Sequence, residues 1–206
     1  MASKTMICNR AIHFIGIGEE IASINERSAE AEACLAFYED ALDELLREWP
    51  WPFARRTVDL AEVNDLDSDG NVVAYNDEFF YAYRYPTDAV FIRRLVSGVV
   101  PDNPDSLLRY QIASDDAGRL ILTNVVDATA EYTVRVADTS LFPSDFAMAL
   151  SFRLASYIAP RLAEDPDKAS KLAMAGYERS MAKARAVAAM EENEGKPPMS
   201  SFQRSR

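Results

Sequence analysis

Residues 47–56 read Arg-Glu-Trp-Pro-Trp-Pro-Phe-Ala-Arg-Arg, and this stretch limits the possible folds more than any other. It holds both tryptophans of the chain, with two prolines and a phenylalanine, in five consecutive positions. Burying an aromatic side chain removes on the order of 150–250 Å² from water, so Trp49, Trp51 and Phe53 need a core. Proline has no N–H to give a helix and biases the residue before it away from helical backbone. A helix therefore has to end here with a fixed exit direction. Apolar residues recur at helical spacing before the stretch and alternate after it. We read Trp49, Trp51 and Phe53 as a structural joint between a helical and a β part, packed against a later helix over residues 142–162.

Upstream, Ile7, Ala11, Phe14 and Ile15 predict a helix over residues 4–15 that Gly16 and Gly18 end. Gly16-Ile17-Gly18 lacks a preceding strand and a third glycine, so it reads as a turn rather than a phosphate-binding loop. Ser28 is placed to cap a long helix reaching about Trp49, with Glu30 and Glu32 complementing the positive end of its dipole. Its expected buried stripe is Cys34, Leu35, Tyr38, Ala41, Leu42, Leu45, Leu46 and Trp49. Residues 79–85 and 90–96 read as two strands or one broken strand, and strands are predicted over residues 107–112, 119–123 and 131–136, with residues 114–118 as a hairpin loop. Tyr75, Tyr81, Tyr83 and Tyr85 lack an interleaved basic stripe, which favours sheet packing over stacking on nucleic-acid bases.

After Asp138 the helical period returns in a strongly apolar segment, which Pro160 should bend or end. Asp165-Pro166-Asp167 has the order of an N-cap, a first-turn proline and an N-terminal acid. A fourth helix to about Glu192 then presents Leu172, Ala173, Tyr177, Met181, Ala184 and Ala188 on one face. The expected fold class is α+β: a discontinuous helical bundle from both chain ends, residues 1–56 and 139–193, with a small antiparallel β module, residues 57–138, inserted. Residues 194–206 read as a flexible basic tail carrying Lys196, Arg204 and Arg206.

The 33 acidic and 22 basic residues give a net charge of -11, which argues against a general grip on phosphate; charge alone favours a merely soluble acidic protein and leaves open a surface past which DNA slides. Cys8 and Cys34 have no CxxC spacing, so neither a zinc site nor a disulfide framework is suggested. The first residues lack signal-peptide order and the apolar runs are short of a membrane span, so a soluble intracellular protein with no membrane partner is expected. His13 is the single histidine, and neither Asp115 with Asp116 nor Glu191 with Glu192 is spaced for paired acid and base work. We expect no enzyme and no cofactor. The Asp-x-Asp-x-Asp-Gly order at Asp65, Asp67, Asp69 and Gly70 matches the start of a calcium loop, but its twelfth place is Asn76, which supplies no bidentate carboxylate. A calcium-binding or other ligand-regulated interaction module is the alternative function, and a small hydrolase built on His13 ranks behind it.

Several segments together carry a resemblance that covers most of the chain. They are Asn9-Arg10-Ala11 with Ile15-Gly16, then Pro50-Trp51-Pro52-Phe53-Ala54, then Tyr85-Pro86-Thr87-Asp88 and residues 120–124. Residues 132–138 follow, running into Phe142-Pro143-Ser144-Asp145-Phe146, and then residues 149–155 and Tyr177. In order and spacing these resemble the tail tubular protein A family, the head-to-tail adaptors of short-tailed phages. The resemblance implies a helical domain with a β insertion and a dodecameric ring beneath the portal protein. It also implies a longer channel for double-stranded DNA, a platform for the tail nozzle protein, and a place in the virion at the head–tail interface. Portal docking is expected of the C-terminal helix and of Lys196, Arg204 and Arg206 in the basic tail.

Overall fold

The computed structural model of the chain describes residues 2–96 and 108–191. The expectations for Leu107, Glu192 and the tail, including Lys196, Arg204 and Arg206, lie outside those residues. The fold is α+β, a helical bundle from both chain ends with two small antiparallel sheets inserted. It divides into two compact units: one takes the chain up to Tyr38 and again from Phe142, the other is Glu39–Leu141. The first division falls inside the second helix, α2 (Ala29–Glu48), rather than after Arg56.

The second unit begins with the last turns of α2, whose Ala41, Leu42, Leu45 and Leu46 are buried. Pro52–Ala54 makes one 3-10 turn, and β1 (Arg55–Asp59) starts immediately, two residues earlier than the expected module boundary. β1 pairs with β6 (Thr129–Val134), which pairs on its other side with β3 (Ala89–Val96). The second sheet sets β5 (Gly118–Thr123) between β2 (Tyr81–Arg84) and β4 (Tyr110–Asp115). β2 and β3 are thus two strands in different sheets, parted at Tyr85-Pro86-Thr87-Asp88. Tyr83, Tyr85, Ile92, Leu95, Ile121 and Tyr132 form a core to which both sheets contribute. On its other face β5 sets Leu120 and Leu122 against Phe79 and Ala82, so the strand is apolar on both sides. Tyr83 and Tyr85 are buried, and Tyr75 is exposed.

The β4–β5 connection is tighter than residues 114–118 suggested. Ser114 pairs with Arg119 and Asp115 with Gly118, leaving a turn of Asp116 and Ala117. The Asp115 carboxylate accepts the Ala117 N–H at 3.0 Å, and Gly118 takes φ +134, a conformation that a Cβ disfavours.

In the first unit α1 (Lys4–Phe14) is capped by the Ser3 hydroxyl, which accepts the Met6 N–H at 3.1 Å, and buries Ile7, Cys8, Ala11 and Ile12. The Ser28 hydroxyl accepts the Ala31 N–H at the start of α2. α3 (Ser144–Leu162) is the most apolar helix, and Pro160 lies inside its last turn. The helix continues for two residues past the proline, because so near the end the ring removes one backbone bond and the Ala163 N–H still reaches the Ala159 carbonyl at 3.1 Å. α4 (Pro166–Glu191) begins as its sequence signals, with the Asp165 carboxylate accepting the Lys168 N–H at 3.1 Å.

Two expected core residues are exposed: Leu35 at 55% and Leu172 at 57%. Leu35 lies two turns before the buried Leu42 on the same stripe, but at its own level of α2 the described residues do not cover it. Leu172 sits beside the line of Ala169, Ala173 and Gly176 that α4 buries, and a seam of small residues has no room for it.

The closeness of α3 and α4 is set at Gly176, where an added Cβ would lie 2.4 Å from Cε1 of Phe152. That ring is not free to swing, because it stacks on Phe14 with centroids 3.9 Å apart and planes 6° from parallel. Alanine would gain about 1 kcal/mol of helix propensity over glycine, and overpacking a fixed ring costs about 1–3 kcal/mol. Gly176→Ala is therefore expected to destabilise the protein in urea unfolding, and adding Phe152→Leu should recover most of the loss.

Candidate functional site

The end of α2 sets the geometry of the second unit's polar groups. A helix leaves its last carbonyls without helical partners, and here the joint provides them. The Trp51 indole Nε1 donates to the Leu45 carbonyl at 2.7 Å, and its ring is 2% exposed and tilted against Phe53 at 6.2 Å. Arg93, on β3, donates to the carbonyls of Leu46 at 2.7 Å and Trp49 at 2.8 Å. Its Nε donates to the buried Thr133 hydroxyl at 2.8 Å. Burial, together with the neighbouring Arg47, pulls the Arg93 guanidinium below its usual range. Of these groups the sequence singled out the joint's aromatics and missed Arg93, whose partners lie 40 or more positions away.

Beside this end of the helix, Asp88 gathers distant segments. Its carboxylate accepts the Tyr132 hydroxyl at 2.9 Å and pairs with Arg56. Its backbone carbonyl accepts the Arg135 N–H at 3.0 Å. Burial first, and then the bond to Asp88, raises the Tyr132 phenol above its ordinary value. The Arg135 side chain reaches Asp43 at 2.8 Å and Glu39 at 3.2 Å. A crevice of about 250 Å³ opens here, with Arg47, Thr87, Asp88, Arg119 and Arg135 in its lining. The Arg119 guanidinium stacks over the Tyr85 ring, 3.9 Å from its centroid.

The acidic loop is a hairpin tip, closed by a Leu66–Val72 bridge. The Asp67 carboxylate accepts the backbone N–H groups of Asn71 at 2.8 Å and Asp69 at 2.9 Å, and these bonds, with the Asn71 side chain, hold its pKa below the usual carboxylate range. Among the described residues no three His, Cys, Asp or Glu side chains are grouped to hold a metal ion, so Asp65, Asp67 and Asp69 are not brought together. Asp115 is also committed, forming a two-point pair with Arg84 at 2.8 and 3.1 Å.

In the first unit a cavity of about 600 Å³ has His13, Glu19, Glu164, Asp165 and Lys168 in its lining. Both nitrogens of the His13 ring are occupied, by the Ile17 carbonyl at 3.1 Å and Glu20 at 3.0 Å. The lining holds no serine, threonine or cysteine that the imidazole could activate. Cys8 and Cys34, far apart in sequence, are both buried, and interaction with the Cys34 thiol, together with burial, pushes Cys8 well above its ordinary value. No helix among the described residues is long and apolar enough to cross a membrane.

Neither protein-family models nor curated proteins match the chain.

The joint makes separable energetic predictions. Trp51→Ala should cost about 3–5 kcal/mol, as expected for a buried aromatic. Trp51→Phe, which keeps most of the ring volume, should lose roughly 1–3 kcal/mol through the unpaired Leu45 carbonyl. Arg93→Met leaves the Leu46 and Trp49 carbonyls unmet and should cost about 2–4 kcal/mol. Denaturant unfolding measures all three, and a loss under about 0.5 kcal/mol at either residue would place it among ordinary surface positions.

Proposed function

We propose that this chain is a structural protein of a phage virion, a head-to-tail adaptor. Copies form a ring beneath the portal, lengthen the channel through which double-stranded DNA passes, and present a platform to the tail nozzle protein. The work is mechanical assembly rather than catalysis. The observation that carries the reading is the interlocking of segments that resemble the adaptor family. Trp51 ends α2, and Asp88 joins Tyr132 and Arg135 through side chain and backbone.

The α+β architecture, with a β module inserted in the sequence between helices from both chain ends, supports the same reading. So does the charge. A net -11 repels phosphate, and a channel wall that DNA must slide along benefits from that repulsion. The basic residues of the tail, Lys196, Arg204 and Arg206, supply the portal contact in this scheme.

Purified protein should join portal-bearing particles as a ring, raising their mass and adding a density below the portal in particle images. Deleting residues 195–206 should abolish that binding while leaving the urea midpoint unchanged. A full-length protein that never joins portal particles would sink the adaptor reading; a truncated one that still binds would remove only the role of the tail.

A further inference from the structure

We propose that the crevice containing Arg119 is a receptor for a carboxylate side chain on an acidic segment of a partner protein. The argument starts from the charges that line it. Arg47, Arg119 and Arg135 face Asp43 and Asp88 there. Both acids are already engaged: Asp88 by Arg56 and the Tyr132 hydroxyl, Asp43 by Arg135. Arg135 is held in turn by Asp43 and Glu39. Arg47 gives one N–H to the Val90 carbonyl at 2.9 Å and stacks over Phe91. Arg119 has no hydrogen bond or ion pair from its guanidinium among the described residues, only the ring of Tyr85 beneath it. Positive charge is thus left over in one crevice of a chain whose net charge is -11.

The way Arg119 is held specifies the ligand. The Arg119 carbonyl accepts the Tyr85 N–H at 3.0 Å, so ring and guanidinium grow from adjoining backbone. A guanidinium resting on an aromatic ring leaves its N–H donors to other partners, and its planar fork suits a carboxylate or phosphate bound through two parallel hydrogen bonds. Thr87 adds a hydroxyl to the same lining. Arg47 and Arg93 share the ring of Phe91, at 5.3 and 4.7 Å, and an anion nearby relieves their mutual repulsion.

Size and surroundings select among anions. At about 250 Å³ the crevice falls below the roughly 300–1,000 Å³ of a small-molecule pocket but admits one side chain. Duplex DNA brings a row of phosphates, and Glu39, Asp43 and Asp88 beside the crevice oppose such a row while tolerating a single charge at Arg119. A protein carboxylate meets these conditions.

The test uses the full chain and a fluorescent hexaglutamate peptide, followed by anisotropy at low and at 0.5 M salt. Binding should be measurable at low salt and weaken sharply at high salt. Arg119→Glu should weaken it at least tenfold and Arg119→Lys, which keeps the charge but loses the planar fork, several-fold, with melting temperatures unchanged. No peptide binding by the wild-type protein overturns the inference, as does equal binding by Arg119→Glu. Tighter binding of inorganic phosphate or a mixed-sequence DNA duplex, lost in Arg119→Glu, overturns it in favour of a phosphate site. The titration needs neither portal nor ring, so this inference and the adaptor reading can fail independently.

Discussion

A helix that stops in the middle of a protein has to satisfy its last carbonyls, and the second unit is arranged around how α2 does so. Water is excluded by the aromatics of the joint, and an unmet buried carbonyl costs about 1–3 kcal/mol. Trp51 folds back to meet Leu45, while Arg93 comes from β3 to meet Leu46 and Trp49. A cation at this end also complements the negative pole of the helix dipole. Because the same guanidinium holds Thr133 on β6, the helix end, the edge strand and the central strand of the first sheet are fixed by one side chain. The prolines stop the helix, but Arg93 makes that stop compatible with burial.

What was legible in the sequence was local. Ser28 and Asp165 cap their helices through bonds three residues long, so the signal and its consequence share one window. The strands were visible as β-branched and aromatic runs, and the order of helices and strands gave the α+β class. Pairing was not visible: nothing within residues 79–96 tells that β2 and β3 join different sheets, because that choice depends on β5 and β6 some 40 residues on. Arg93 was unreadable for the same reason. Leu35 and Leu172 show the limit of periodicity, which gives the direction a side chain faces but not whether anything lies there. The two cysteines are a related case, since no spacing rule announces a contact between α1 and α2.

The unit's ion pairs divide by burial. Arg56 with Asp88 and Arg84 with Asp115 are substantially exposed, where a pair contributes only about 0–1 kcal/mol. They fix positions more than they stabilise. Glu131 differs: it lies on the central strand of its sheet, its side chain is 13% exposed, and Arg94 on β3 and Arg55 on β1 flank it at 2.9 and 3.6 Å. Cross-strand neighbours of opposite charge hold register, and a one-residue slip would set Glu131 apart from both arginines.

This distribution bears on what kind of function the chain can have. Among the described residues, several polar side chains are consumed by architecture. The nitrogens of His13, the carboxylates of Asp67 and Asp115, and the guanidinium of Arg93 each complete a turn, a helix end or an ion pair. Side chains used in this way fix the segments they join and leave their donors and acceptors unavailable to a ligand. Arg119 departs from the pattern, because it lies over the Tyr85 ring and no described group uses its donors. A chain of this charge approaching another of like charge meets long-range repulsion, and attachment then depends on short-range sites where the sign is reversed. An arginine at such a site would give orientation as well as attraction, since two parallel hydrogen bonds to a carboxylate fix the angle at which its bearer arrives.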